Sequence, residues 1–531
     1  MNRVPVALCA IALAALVPAA PALAQDHHAP GTSEKLGTVH FPTSCDRSVA
    51  PRIDRAVALL HSFEFGASIR AFDAVLAADS TCAMAHWGLA LSRWTNPMAA
   101  VTRTAAQLVP GRRAADAAAR LGSGATERER GYISAVGALY RDYESVGQDT
   151  RIANYERAMA DLVARQPADT EARIFHAIAL VATAAPTDKS YEKQRRAGAI
   201  LERLWAAQPD HPGLAHYIIH TYDVPALASQ AAAAARRYAE IAPTVAHAQH
   251  MPSHTFTRLG HWRESVRANR ESYDAAMRDS ALAEAMHASD YMEYAYLQMR
   301  RYDEARAVRD VIPTLATRYD PAVVRGAAPP SAAFFAIASI PARFALERGA
   351  WAEAAALTPR ATDYPHTEGM TYFARALGAA RLHRASDARP AVDSLAAIEQ
   401  RLIAQNERYW AEQVHIQRLG AQAWLDLADG KRSEALARMA EAARLEDATE
   451  KNAVTPGPLA PARELLGDML MEVGLPAEAL AEYRRTLAKE PGRYRALDGA
   501  RRAASASGAK AESARYAREL ERLTSSRMSR Q

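Results

Sequence analysis

Residues 463–470 read RELLGDML, and Gly474, Ala479, Tyr483 and Pro491 follow them. The apolar residues of this stretch recur at spacings of three and four, which is the period of one face of an α-helix. Small residues let two helices cross closely, an aromatic ring fills the space to the neighbouring helices, and proline ends the second helix because it cannot continue it. The stretch therefore predicts a pair of antiparallel helices.

The same pattern recurs along the chain at an interval of 34 residues. Gly508 follows Gly474 by 34 residues, and Pro243 follows Pro209 by the same interval. One helix pair cannot bury its apolar face alone, so successive pairs must stack on one another. The period-two alternation of strands is absent from the sequence. The sequence therefore predicts an all-α fold, an α-solenoid of stacked helix hairpins.

The order of residues within each repeat resembles the tetratricopeptide repeat (TPR), apart from Arg463, where that repeat has an opening Trp. The resemblance covers most of residues 46–525, and it is clearest at 459–525 and near 205–275. TPR proteins are typically scaffolds whose first helices line a concave groove for peptides or partner proteins. The resemblance therefore implies a protein or peptide partner for this chain.

The N-terminal residues have the pattern of a secretory signal. Arg3 supplies the positive start, residues 6–17 are apolar, and the small residues before Gln25 predict cleavage after Ala24. No later stretch approaches the roughly 20 uncharged apolar residues of a membrane-spanning helix. The sequence therefore predicts a periplasmic or secreted protein with no membrane span once the signal is removed.

The cysteines fit an exported protein. Signal removal leaves Cys45 and Cys82, and two cysteines in an oxidising compartment predict one disulfide, with two buried thiols as the alternative. Segments 41–45, 82–88 and 250–254 also resemble a branch of exported bacterial TPR proteins, which implies export and no particular activity.

Two breaks interrupt the helical pattern, one at 319–330 and one at 449–458. Whether they are hinges between domains or loops within one solenoid is open at this level. The predicted organisation is a signal peptide at 1–24, an N-terminal arm at 25–45, an N-terminal array with a His-rich groove at 46–320, a middle array at 331–448 and C-terminal repeats at 459–525.

Composition and motifs exclude several functions. The 531 residues include 65 basic and 60 acidic side chains, without a long Lys/Arg run, so nucleic-acid binding is not expected. The sequence also lacks the nucleophile, phosphate-loop and dinucleotide motifs of common enzymes. No catalytic residue is therefore predicted, and the chain is not expected to be an enzyme.

Histidine is concentrated in one part of the chain, because eight of the 17 histidines lie between residues 211 and 287. His216 and His220 are four residues apart and share one helix face. His250 and His254 reproduce this pair 34 residues later, which places both pairs at the same two positions of consecutive repeats.

These positions face the concave groove in proteins that the repeat resembles. The same register adds four further residues to the predicted ligand groove: His247, His287, Asp290 and Tyr294.

Three interpretations of the groove are open. The two histidine pairs, His216 with His220 and His250 with His254, could converge on one Zn or Cu ion, because imidazole is the commonest ligand for such metals. The groove could instead bind an anionic or peptide ligand, or the histidines could serve the fold alone. Pro252 weakens the shared face of the second pair, since proline breaks or kinks a helix. The primary prediction is a scaffold that binds a protein, peptide or small ligand around residues 211–294, with a Zn- or Cu-binding protein as the alternative.

Overall fold

The computed structural model describes residues 34–98, 102–323 and 325–525, so the predicted signal peptide at 1–24 lies outside the described residues. Within those ranges the regular structure is helical and contains no strand. The described residues from Lys35 onward form one compact unit. The all-α prediction is confirmed.

The helices pack mainly against their neighbours in sequence, each against the next and often against the next but one. They are α1 (Ala50–His61), α2 (Phe65–Ala78), α3 (Ala83–Trp94), α4 (Ala105–Leu121), α5 (Glu127–Tyr140), α6 (Gln148–Arg165), α7 (Thr170–Ala182), α8 (Glu192–Ala207), α9 (Pro212–Thr221), α10 (Ala232–Ile241), α11 (Ala246–His250), α12 (Pro252–Arg258), α13 (Trp262–Arg278), α14 (Leu282–Gln298), α15 (Tyr302–Arg318), α16 (Pro330–Glu347), α17 (Trp351–Ala355), α18 (Pro365–Arg381), α19 (Ala385–Ala404), α20 (Arg408–Ala428), α21 (Arg432–Ala448), α22 (Ala462–Glu472), α23 (Pro476–Lys489), α24 (Tyr494–Ala506) and α25 (Lys510–Thr524), with short 3₁₀ turns at Arg47–Val49, Gly122–Gly124 and Ala228–Ala231.

The stretch that predicted a helix pair forms one, α22 followed by α23. Gly474 lies in the short turn between them with φ of +77°, a left-handed conformation that glycine adopts without strain. A Cβ atom on Gly467 would lie 2.9 Å from the ring of Tyr483, so the small residue permits the close crossing and the aromatic ring fills it. Short turns also join many of the other pairs, which makes those helices antiparallel. The fold is a TPR-like α-solenoid.

The predicted disulfide is confirmed, and it ties the N-terminal arm to the second helix pair. Cys45 bonds to Cys82, with Cα atoms 4.9 Å apart. Beside it, the ring of Phe41 stacks on Trp87 with ring centroids 5.1 Å apart. The arm is therefore held by a covalent bond and by aromatic packing.

Residues 449–461, which we call the strap, join α21 to α22 without regular helix. The strap contacts residues from much earlier in the chain and accepts hydrogen bonds from them. Lys189 Nζ donates to the backbone oxygen of Thr449 (2.8 Å), and the Tyr291 hydroxyl donates to those of Ala453 (3.1 Å) and Thr455 (3.0 Å). The predicted break at 449–458 is therefore a packed segment.

None of the helices within the described ranges combines the length and the apolar character that crossing a bilayer would need.

Candidate metal centre

Six histidines meet inside the solenoid, on consecutive first helices of the repeats. All six side chains are buried, with at most 8% of their surface exposed. We call these residues the six-histidine cluster: His216 and His220 on α9, His247 and His250 on α11, His254 on α12 and His287 on α14.

The cluster divides into two sets of three. Within each set the ring nitrogens lie within 4.8 Å of one another. In one of the three interpretations of the sequence the two i,i+4 pairs could converge on one ion, and the structure groups the residues differently. Each pair is completed by the first histidine of the next repeat, because stacking places that residue beside the pair. The first set is His216, His220 and His247, and the second set is His250, His254 and His287.

Pro252 does not separate the second pair. Helix α11 ends at His250 and α12 begins at Pro252, and Met251 between them keeps helical dihedral angles. The Nε2 atoms of His250 and His254 lie 3.0 Å apart. The regular helix is therefore interrupted for one residue, and the two imidazoles stay in contact.

The hydrogen bonds of the first set determine its tautomers. His216 Nδ1 donates to the backbone oxygen of His61 at 2.6 Å, because a carbonyl oxygen can only accept. His247 Nδ1 donates to Glu284 Oε1 at 3.1 Å, and the other oxygen of Glu284 accepts two backbone N–H groups, as an ionised carboxylate does. In the neutral form of each imidazole the lone pair therefore lies on Nε2, and these two Nε2 atoms are 3.2 Å apart.

The second set repeats this arrangement. His254 Nδ1 donates to Asp223 Oδ2 at 2.9 Å. His250 Nδ1 donates to Asn269 Oδ1 at 2.7 Å, and Asn269 Nδ2 donates to the backbone oxygen of Ser265, which identifies Oδ1 as the acceptor. The Nε2 lone pairs of His250 and His254 therefore also face each other, at 3.0 Å. Two facing lone pairs repel unless a cation lies between them.

The third histidine of each set offers an unused nitrogen. Nε2 of His220 and Nδ1 of His287 are buried and have no hydrogen-bond partner among the described residues. An unpaired buried polar atom costs roughly 1–3 kcal/mol. A ligand that accepts these lone pairs would remove that cost.

Burial disfavours the charged form of five of these imidazoles. It lowers the pKa of His216, His220 and His250 well below the ordinary value, and neighbouring histidines lower it further. Burial likewise lowers the pKa of His254, and it lowers that of His287 to about 3. Neutral imidazole is the form that binds metal ions.

An outer layer of charged groups encloses the second set. Asp223 accepts hydrogen bonds from Arg258 Nε (2.9 Å) and from Lys451 Nζ of the strap (3.0 Å), in addition to that from His254. The ring of Tyr291 packs 5.0 Å from that of His254, and its hydroxyl donates to the strap. The strap and the helices together therefore close the cluster off from an open groove.

Two residues of the predicted ligand groove lie outside the cluster. Asp290 forms a buried ion pair with Arg343, and the Tyr294 hydroxyl accepts a hydrogen bond from Arg493 at 3.1 Å. His247 and His287, the other two, belong to the cluster. All four side chains are buried.

One supporting group was not predicted from the sequence. Glu171 bridges His61 and His211, with its two oxygens 2.9 and 2.8 Å from the Nε2 atoms of those residues. The backbone oxygen of His61 in turn orients His216. No local pattern in the sequence connects these residues, since His61 and His216 are 155 positions apart.

Comparisons with known proteins add little about function. No family model and no curated protein matches the chain. Among solved structures, the chain is similar to the human IFIT1 dimer with m7Gppp-AAAA, at 11% identity over 83% of this chain and 90% of that one, with a TM-score of 0.41. It is also similar to the APC/C hetero-tetramer Cut9–Hcn1, at 12% identity over 90% and 87% of the two chains (TM-score 0.34), and to yeast Tom70, at 11% identity over 88% and 97% (TM-score 0.37). The described residues themselves show a TPR-like helical fold.

Proposed function

We propose that the protein is an exported metal-binding protein that holds a transition-metal ion, Zn or Cu, in the six-histidine cluster. The observation that carries this proposal is the pair of Nε2–Nε2 contacts at 3.2 and 3.0 Å between imidazoles whose Nδ1 atoms are already donors. An ion placed about 2.05 Å from both nitrogens of such a pair would have an N–metal–N angle of about 95–105°. This angle is close to the tetrahedral angle that Zn sites prefer.

The donor set favours Zn or Cu over other ions. Every available donor is an imidazole nitrogen, and imidazole suits Zn, Cu and Ni, whereas Ca and Mg prefer oxygen ligands. Glu284 and Asp223 hold the Nδ1–H groups of His247 and His254. Such carboxylates orient metal-binding histidines and raise their basicity.

The burial of the cluster favours an ion over a peptide. A peptide needs accessible side chains to contact, and all six histidines of the cluster are buried, with at most 8% of their surface exposed. An ion needs only the converging nitrogens. We therefore propose the metal ion as the ligand of the region around residues 211–294, in place of a protein or peptide partner.

The proposed location is the periplasm or the extracellular space. The Cys45–Cys82 disulfide supports this location, because disulfides persist in oxidising compartments.

The proposal is tested by elemental analysis of the mature protein without an affinity tag. We expect Zn or Cu to be bound, and we expect the double variant His216→Ala/His254→Ala to lose it. The matched control is His366→Ala, which removes a buried histidine that stacks on Trp410 away from the cluster, and it should keep the metal. The proposal fails if the protein contains no metal and its thermal unfolding does not respond to added Zn, Cu or Ni.

A further inference from the structure

We infer that the cluster holds two metal ions side by side, one in each set of three histidines. This inference rests on the proposed function and specifies how the same site is loaded.

The first argument is that each set is complete by itself. Each contains one facing pair of Nε2 lone pairs and one further histidine with an unpaired buried nitrogen. One ion in the first set would leave the lone pairs of His250 and His254 facing each other at 3.0 Å. One ion in the second set would leave the Nε2 lone pairs of His216 and His247 facing each other at 3.2 Å. One metal ion in each set satisfies both pairs.

The second argument is that the outer layer is duplicated along with the ligands. In each set, one histidine of the facing pair donates its Nδ1–H to a carboxylate and the other donates to a neutral oxygen. The carboxylate is Glu284 in the first set and Asp223 in the second. The neutral oxygen is the backbone oxygen of His61 in the first set and Asn269 Oδ1 in the second.

The two sets are also adjacent. The ring centroids of His220 and His254 lie 5.8 Å apart, and those of His247 and His250 lie 6.0 Å apart. Three imidazoles leave each ion one short of the four ligands usual for Zn. A small ligand such as water or hydroxide would complete each ion within this enclosed space.

The experiment is a titration of the metal-free full-length mature protein with Zn²⁺ and, separately, with Cu²⁺, followed by removal of loosely bound metal and elemental analysis. We expect two ions per chain. The copper-loaded protein should give less electron paramagnetic resonance intensity than two isolated Cu(II) ions, because neighbouring spins couple.

Single variants test each set of three histidines separately. His220→Ala affects the first set and His287→Ala the second, and neither change breaks a hydrogen bond described above. Each should reduce the stoichiometry from two ions to about one and restore the full signal of one isolated Cu(II). His366→Ala should still bind two. Circular dichroism establishes that each variant is folded.

The outcomes separate the two proposals. One ion per chain in the wild type, lost equally in His220→Ala and His287→Ala, overturns the inference and keeps the proposed function. No bound ion in the wild type overturns both. The wild-type stoichiometry decides the inference even if a variant does not fold.

Discussion

Replacing Asp223 by asparagine is expected to weaken both the fold and metal binding, because this carboxylate joins the cluster to the strap. It accepts hydrogen bonds from His254, Arg258 and Lys451. All these groups are buried: the exposed fractions of the side chains are 9% for Asp223, 3% for Arg258 and 6% for Lys451. Asparagine keeps the shape and removes the charge.

The expected magnitude follows from the two cations that the change leaves behind. Breaking a buried ion pair by neutralising one partner costs about 3–5 kcal/mol, because the other charge stays buried and uncompensated. The amide oxygen of asparagine can still accept one of the three hydrogen bonds, so we expect the lower end, about 3 kcal/mol of unfolding free energy. Because the carboxylate holds His254, which we propose as a metal ligand, its loss should also weaken metal affinity by about 10–100-fold.

The assay is urea unfolding of the metal-free protein together with a metal competition titration. Asp210→Asn is the matched control, since its side chain is 59% exposed and pairs with Arg237 at the surface. Asp210→Asn should change neither the unfolding free energy nor the metal-binding free energy by more than about 0.5 kcal/mol. In Asp223→Asn/Lys451→Met, part of the lost stability should return because one uncompensated cation is gone. Wild-type stability and affinity in Asp223→Asn would refute the reasoning.

The pH dependence gives an independent check of the same carboxylate. Burial acts to raise the pKa of Asp223, but Lys451 and Arg258 outweigh burial and hold the pKa well below its ordinary value. The folded-state pKa therefore lies below the unfolded value of about 3.9, so the carboxylate stabilises the fold above that pH and this contribution is lost as pH falls through the folded-state pKa. The stability difference between wild type and Asp223→Asn should be constant near neutrality and shrink below about pH 4.

Three further predictions concern the rest of the fold. Reducing the disulfide between Cys45 and Cys82, which are 37 residues apart, should lower the unfolding free energy by about 2–4 kcal/mol in urea, and neither thiol of the native unreduced protein should be alkylated. Burial raises the pKa of Glu446 to about 7, so its protonated carboxyl stabilises the fold below about pH 4, and this contribution is lost as pH rises to 7. The stability of Glu446→Gln relative to wild type should therefore increase by about 1–3 kcal/mol between pH 5 and pH 8. A stability difference that does not change with pH would contradict this. A Cβ atom on Gly88 would lie 2.2 Å from the ring of Phe72, so Gly88→Ala should lower the unfolding free energy by about 1–3 kcal/mol, and unchanged thermal unfolding would contradict the close crossing of α2 and α3.

The fold could be predicted because its determinants are local. A helix pair is specified by the spacing of its small, apolar and aromatic residues, and the repeat interval then specifies the stacking. The histidine pairs could be found for the same reason. Two residues four positions apart share a helix face wherever the helix lies.

The grouping of the histidines could not be predicted from that register. His247 completes a pair that lies on a different helix, and the same is true of His287. The path of the superhelix decides which neighbouring ring comes within reach. The register also placed Asp290 and Tyr294 in the groove with the histidines, whereas in the structure they contact two buried arginines from later in the chain, Arg343 and Arg493.

By itself, the sequence determined the helical repeat, the disulfide and the two in-register histidine pairs, since each follows from local spacing or from the count of cysteines. Only the tertiary structure decided that the pairs form two sets of three, that their Nε2 lone pairs face each other, and that the strap closes the site. These features depend on contacts between residues far apart in the chain, such as Lys451 with Asp223 across 228 positions. No local periodicity encodes such a contact, because it exists only once the whole solenoid has stacked.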